Sequence, residues 1–537
     1  MWQKLILTPA TQQQRPEVLV PQLTREQLRA ATTDRRLCFV KAGPGSGKTF
    51  LASEAFGYLR FVRHRGVPAG VVGVTFARSA RKELEDRIRV RWGARAIGWP
   101  NSICTFDELH RRLVRYLVYK QLIDWPGGSL PDRPEDSWAM HDNATPMPGQ
   151  RPKCYLTLDE EGLIAVRKTR LRRLAPNPAF INEDHFVSAL RSGHCTHNDV
   201  RNVLAAAIDG SRHPLYAAAI SECLSGSMAH LIVDEAFDMN PLDIAVVRSA
   251  IRAGVPTTIV GDPWQSLYEF RGSSPKQVRA LLEAHDFERI DMPGTHRYTT
   301  PEMLTLSERL FDGRPFQVKA FSQGDQFDVV LAHDWGALWG ERRIPVLPAG
   351  IPARIDRGKM ACCFRLLVNE VVRAQFGLDA SGLAEARRVI GVDEPSSLLT
   401  RAVRALRDTE AAEQDVWNCL REAFQPPEDK RWPEPGKNAR DCLEQLAWVL
   451  RRDEAPALGL SVHQAKGLEW DRVLFLDGEL TTAPDKANVL DVDEESHRSV
   501  YVGLTRARSR VRVLQVQTKP YGLQRSPILH VAISNGA

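Results

Sequence analysis

Eight residues, Ala42-Gly43-Pro44-Gly45-Ser46-Gly47-Lys48-Thr49, lie between a short apolar run, Leu37-Cys38-Phe39-Val40, and a helix-like stretch over 49–58. Strand, glycine-rich turn and helix is the arrangement that grips phosphate. Gly43, Gly45 and Gly47 let the backbone curl, so that N–H groups of the Gly43, Pro44, Gly45, Ser46 and Gly47 loop point inward, and the helix N-terminus adds the positive end of its dipole. In such a loop Lys48 reaches the β- and γ-phosphates and the Thr49 hydroxyl holds Mg²⁺. A second apolar run, His230-Leu231-Ile232-Val233, ends in two carboxylates, Asp234 and Glu235. Asp234 is the candidate ligand for the metal and Glu235 the candidate group that polarises an attacking water. The combined chemistry is hydrolysis of a phosphoanhydride.

Other side chains extend this set. Thr24 can cap a helix that carries Gln27, whose amide offers the donor and acceptor needed to read the edge of adenine. The run Thr258-Ile259-Val260-Gly261-Asp262 leads into Pro263-Trp264-Gln265-Ser266-Leu267-Tyr268-Glu269-Phe270. Gln265 is placed to touch the γ-phosphate, while Tyr268 and Phe270 offer aromatic faces on which bases stack. Thr75 and Thr105 end two further strand-like runs, with Phe76 and Phe106 beside them. Ligands of open α/β sheets bind at such strand ends.

The elements that must hold these groups are buried parallel strands alternating with helices. Val71-Val72-Gly73-Val74-Thr75-Phe76 is nearly all apolar, as a strand covered on both faces must be. A helix over 77–90 follows, then another over 107–119. Residues 125–153 are rich in proline and glycine and read as a linker or long loop. A hairpin is expected from 155–157 and 164–166, then a basic cluster at Lys168, Arg170, Arg172 and Arg173, and helices across 180–225 with Thr196 as a cap. Strands over 327–331, 472–476 and 511–516 belong to a second α/β unit. Residues 355–454 are mainly helical and broken by a proline-rich loop at 425–437.

Composition limits the function classes. The chain has 537 residues, enough for several domains, and 72 Lys+Arg against 66 Asp+Glu give a net charge of only +6. A nucleic-acid partner would therefore need a local basic groove rather than global charge. The nine cysteines form no C-x-x-C pair and read as reduced thiols of a cytoplasmic protein. His194, Cys195 and His197 lie close together but lack a second ligand pair at zinc-like spacing. No apolar run is long enough to span a membrane.

In order and spacing these motifs resemble the UvrD/Rep-like superfamily 1 DNA helicases of the 3′→5′ branch. The stretch Leu23-Thr24-Arg25-Glu26-Gln27 is similar to the Q motif, 42–49 to motif I, and Val74-Thr75-Phe76 and Thr105-Phe106 to motifs Ia and Ib. Val233-Asp234-Glu235 resembles motif II, Val260 to Ser266 motif III, and 292–297 motif IV. Val462-His463-Gln464-Ala465-Lys466-Gly467-Leu468-Glu469-Trp470 resembles motif V, and Tyr501-Val502-Gly503-Leu504-Thr505-Arg506-Ala507 motif VI.

The resemblance implies an α/β fold: two RecA-like P-loop NTPase domains with mainly helical insertions and ATP in the cleft between them. The expected layout is residues 1–106 and 226–285 for the first RecA-like domain, interrupted by an accessory insertion at 107–225. Residues 286–354 and 455–537 form the second, interrupted by a reduced insertion at 355–454. Lys48, Glu235, Gln265, Arg297 and Arg506 are then the catalytic groups, the two arginines neutralising charge on the γ-phosphate. Gln27, the loop 43–49 and Glu469 contact ATP. Thr49 and Asp234 hold Mg²⁺, and Thr75, Phe76, Thr105, Phe106, Tyr268, Phe270 and His463 face DNA.

This sequence departs from the family pattern at two places. Phe237 stands where motif II usually carries glutamine, and the interval from Arg297 to His463 is short, so the second accessory domain is reduced. The expected partner is single-stranded DNA and its junctions with duplex, with RNA as a less favoured track. An alternative reading is an ATP-gated DNA-end sensor or motor subunit that serves a partner nuclease. A P-loop small-molecule kinase would leave the motifs after residue 258 unexplained.

Overall fold

The computed structural model describes residues 23–135, 153–169, 183–269, 272–292, 294–352, 359–381, 383, 386–387, 397–410, 413–423, 437–516 and 526–533. The expected N-terminal leader, Phe270, most of the 125–153 linker, Arg170, Arg172, Arg173 and nearly all of the 425–437 loop lie outside them. The chain divides into two units, Met1–Gly294 and Thr295–Ala537.

In the first unit, helix α1 (Arg25–Thr32) precedes strand β1 (Leu37–Ala42), helix α2 (Lys48–Tyr58), β2 (Gly70–Thr75), α3 (Arg78–Trp92), β3 (Ser102–Thr105) and α4 (Phe106–Tyr119). The hairpin β4 (Lys153–Leu158) and β5 (Ile164–Thr169) follows, with helices α5 (Glu183–Arg191), α6 (His197–Ala207) and α7 (Pro214–Ser227). The chain then returns through β6 (Met228–Val233), α8 (Pro241–Arg252), β7 (Thr257–Gly261), α9 (Pro275–Glu283) and β8 (Glu288–Met292). Six strands make one parallel sheet in the order β3-β2-β6-β7-β1-β8. Strands β2, β6 and β7 are buried along their whole length, as a parallel sheet with both faces covered demands.

Alternate residues of each strand feed different cores. Cys38 and Val40 join Leu51, Phe56, Leu84 and Trp92 on one face. Phe39, Val72, Val74 and Val233 join the other, and that core runs without a break into Leu113, Leu156, Phe186 and Val203 of the 107–225 insertion. The insertion is therefore welded to the first sheet by shared apolar burial. Its hairpin and the Thr196 cap match expectation, with Thr196 Oγ1 accepting from Asp199 N at 3.3 Å.

One expected boundary is corrected. The second unit was expected to begin at 286, yet β8 pairs with β1 in the first sheet, Val40 opposite Ile290. Its alternating burial is that of an edge strand, a weaker sequence signal than the continuous apolar runs of β2 or β6.

The second unit contains α10 (Pro301–Phe311), β9 (Val329–Ala332), α11 (Trp335–Gly340) and β10 (Val346–Pro348). Helices α12 (Lys359–Phe376), α13 (Ser397–Arg407), α14 (Glu413–Ala423) and α15 (Lys437–Leu450) form the helical insertion. Strand β11 (Ala457–Ser461), helix α16 (Val462–Ala465), β12 (Trp470–Asp477), β13 (Lys486–Val489), α17 (Glu495–Leu504), β14 (Ala507–Gln515) and β15 (Leu529–Ala532) complete it. Its parallel sheet has the order β10-β11-β9-β12-β14. Trp339, Phe364 and Trp417 form an aromatic ladder from α11 into α12 and α14, with centroids 6.0 and 6.1 Å apart.

Candidate active site

The phosphate-loop sequence folds as a turn stabilised from within. Gly45 and Gly47 take φ of 72° and 83°, the left-handed region that glycine enters without cost. Gly43, expected to share that task, is not in that region. Ser46 Oγ donates to the Gly43 carbonyl at 2.8 Å and closes the loop. A β-carbon on Gly47 would sit 3.0 Å from Gln27 Nε2, so α1 packs closely against the loop there.

Gln27 is brought to the loop, as the motif reading requires, but its amide is engaged at both ends. Nε2 donates to the Ser46 carbonyl at 2.8 Å, and Oε1 accepts from Thr24 N at 3.0 Å in a capping box. In this conformation Gln27 braces the loop.

Lys48 Nζ donates to the Ala42 carbonyl at 3.4 Å and lies 3.9 Å from Glu235 Oε1. The loop after β1 and the carboxylates after β6 thus converge, although β7 lies between those strands. Glu235 has φ of 54°, a left-handed value that a residue with a β-carbon adopts only when its surroundings impose it. Asp234 Oδ1 accepts from Glu235 N at 2.9 Å. Burial, followed by the charge of Glu235, pushes the Asp234 carboxyl up to about 7, against the opposing charge of Lys48. A buried carboxyl lifted in this way fits a divalent cation, whose charge would hold it ionised. Asp234 would ligate the ion with the Thr49 hydroxyl, and the ion would supply charge neutralisation at the phosphates.

Gln265 is held by a residue that motif matching did not single out. Asp262 Oδ2 accepts from Gln265 Nε2 at 2.7 Å, and Asp262 Oδ1 accepts from Trp264 N at 3.1 Å. The aspartate before Pro263 is a cap signal legible in the sequence. Ser266 Oγ donates to the Phe237 carbonyl at 2.8 Å and ties the two strand-end segments together. The Phe237 side chain is in the core, edge-on to Phe39 with centroids 6.1 Å apart and against Gly261.

The expected DNA-facing residues separate into two groups. Phe76 and Tyr268 are half-buried and stack on each other, with centroids 5.6 Å apart and planes 15° from parallel. Thr75, Thr105 and Phe106 are buried in this conformation. Thr75 is buried and donates to the Ala77 carbonyl, and Thr105 spends its hydroxyl capping α4. Phe106 is 5% exposed, as the first residue of a helix whose apolar face turns inward.

In the second unit Arg297 and Glu469 meet, Nε to Oε2 at 2.8 Å, and Arg297 Nη1 donates to the Thr505 carbonyl at 3.0 Å. Arg506 is 1% exposed, and its Nε donates to the Val502 carbonyl at 3.0 Å. In this conformation backbone carbonyls take its donors. His463 is half-buried and edge-on to His333, with centroids 6.3 Å apart.

A glycine-rich loop, a lifted aspartate and a strained glutamate at the ends of parallel strands define a P-loop NTPase fold. Comparison with known proteins is consistent with this. Residues 25–271 match an AAA domain model and residues 458–517 match the UvrD-like helicase C-terminal domain. Over 95% of this chain and 80% of the relative, it is 27% identical to the ATP-dependent DNA helicase UvrD2 of Mycobacterium tuberculosis H37Rv. It is 25% identical to UvrD1 of Mycobacterium bovis over 49% of this chain and 34% of the relative. It is also 29% identical to DNA helicase IV of Escherichia coli K12, over 19% of this chain and 16% of that protein. The chain belongs to the UvrD-like helicases of superfamily 1.

Proposed function

We propose that this protein is an ATP-dependent DNA helicase that moves 3′→5′ along single-stranded DNA. The observation that carries the reading is the convergence of Lys48, Asp234 and Glu235 at one end of the first sheet. Lys48 holds the β- and γ-phosphates of ATP. Glu235 takes a proton from the attacking water. Asp234 and Thr49 hold Mg²⁺. Gln265, oriented by Asp262, senses the γ-phosphate and transmits its state to Tyr268 three residues on. Arg297 and Arg506 stabilise charge developing in the transition state, which requires Arg297 to leave Glu469 and Arg506 to leave its carbonyls. The stacked pair Phe76 and Tyr268 is the platform for a base.

The layout at 107–225 and 355–454 supports accessory roles for both insertions, the second too small to grip much duplex. The motif V stretch through Glu469 supports the direction. The names of the relatives, all DNA helicases, favour this reading over service to a partner nuclease. Among the described residues no helix is long and apolar enough to cross a membrane. The test is ATP hydrolysis with and without single-stranded DNA, then strand displacement from duplexes with a 3′ or a 5′ tail. Stimulation and a preference for the 3′ tail are expected; preference for the 5′ tail would overturn the direction.

A further inference from the structure

A second aromatic and basic surface lies at the opposite end of the first sheet. Trp99 is 92% exposed, at the tip of the loop that enters β3. The loop is not loose. Buried Asn101 donates from Nδ2 to the Gly98 carbonyl at 3.1 Å and accepts from Val71 N at 3.0 Å, tying the loop to the start of β2. A β-carbon on Gly70 would lie 2.0 Å from the Pro100 carbonyl oxygen, so the two loops are in direct contact. The neighbouring loop carries Val67, 39% exposed, and Arg65.

The two chain segments that meet at this tip carry charge of one sign. No aspartate or glutamate occurs between Glu54 and Glu83 or between Asp86 and Asp107, whereas Arg65, Arg87, Arg89 and Arg95 are exposed. Arg87 and Arg89 pair with Glu83 and Glu85 along α3. Among the described residues Arg65 and Arg95 pair with no carboxylate. A rigid, fully presented indole, on a loop that carries Arg95 and touches the loop that carries Arg65, has the chemistry of a base-stacking platform with phosphate ligands. Duplex DNA keeps its bases stacked within itself, so the fit is to a single strand.

We propose that this end of the first unit binds a second segment of single-stranded DNA, one base stacking on Trp99 and its flanking phosphates meeting Arg65 and Arg95. The site is separate from the Phe76 and Tyr268 pair. Strand β2 begins beside Pro100 and ends at Thr75, five residue steps or about 16 Å away. The proposal goes beyond the motor reading and does not depend on it.

The test uses the full chain and the oligonucleotide dT8. Intrinsic fluorescence is titrated in wild type and in Trp99→Phe, and the difference isolates Trp99 among the twelve tryptophans. A saturable quench of Trp99 is expected, with a log–log salt slope of about −1.4 for two phosphates. Arg65→Ser with Arg95→Ser should weaken it at least tenfold. Identical titrations of wild type and Trp99→Phe would overturn the proposal, as would a quench untouched by the arginine variant. A Trp99 quench produced by poly-L-glutamate but not by dT8 would also overturn it, marking an acidic protein segment as the occupant. Stimulation of ATP hydrolysis by a long single strand is measured in the same preparations. Its absence would overturn the motor reading alone.

Discussion

Lys48 and Glu235 face each other across 3.9 Å and are only partly buried, so neither supports the core. Glu235→Gln should therefore lower ATP turnover by about 10²–10⁴-fold, the range for removing a positioned acid–base group, and Lys48→Ala by about 10²–10³-fold, the range for removing a group that stabilises transition-state charge, both with unchanged melting temperature. Retention of near-wild-type turnover in either variant would remove that residue from the mechanism. The two arginines should behave differently from one another. Arg297 pairs with a partly exposed glutamate, and Arg297→Ala should reduce kcat far more than ATP affinity, with a smaller loss of stability than at Arg506. Arg506 is enclosed and bound to carbonyls, so Arg506→Ala should reduce kcat and also cost about 2 kcal/mol of stability. Thermal melting beside steady-state kinetics separates the two cases, and equal melting temperatures would contradict the burial argument.

At the scale of elements, Phe237 fills a slot bounded by Phe39 and Gly261 at the junction of β1, β7 and the turn after β6. Restoring the glutamine usual in motif II would put an amide there without a partner of its own. Phe237→Gln should destabilise the protein by about 3 kcal/mol, read from denaturant midpoints, and a neutral result would show that the slot can admit water. Strand β6 also carries His230, whose Nε2 lies 2.9 Å from Thr258 Oγ1 and whose ring is 5.7 Å from that of His64. Burial first, then His64 and Arg63, hold His230 well below its ordinary value, and burial and Arg63 lower His64 as well. Unfolding lets both rings take up protons below about pH 6.5, so stability is full above that pH and is lost as pH falls beneath it. His230→Gln should flatten this acid limb in melting curves taken from pH 7.5 to 5.5. An unchanged slope would assign the limb to other groups.

For the whole molecule, the first insertion shares one core with the motor sheet, so no independent hinge is expected between them. The second insertion is a short helical set joined through Trp339, Phe364 and Trp417. We expect robust single-strand translocation with short-range unwinding, because each base-pair step opened costs roughly 1.4 kcal/mol. Single-turnover displacement of duplexes of increasing length checks this; processive unwinding of long duplexes by the protein alone would contradict it. Stimulation of ATP hydrolysis by single-stranded DNA should fall with salt by about 0.7 log units per log unit for each phosphate held.

The sequence by itself determined what depends on neighbours along the chain. The glycines of 43–47, the carboxylates after an apolar run, the caps at Thr24 and Thr196 and the hairpin before residue 170 are local patterns. Backbone sterics and a fixed side-chain period make such patterns legible. Tertiary structure decided which of these groups meet and which are hidden. Strand β8 was claimed by the first sheet because β1 had an edge to pair. Phe106 was buried and Thr105 spent on a cap because α4 turns its apolar face to the sheet. Arg506 was enclosed by carbonyls of its own helix end, and Phe76 met Tyr268 through the order of strands rather than through spacing. Trp99 reads in the sequence as one more apolar residue before a strand. It is exposed on a loop that Asn101 ties to the start of β2, a long-range bond that no local pattern encodes.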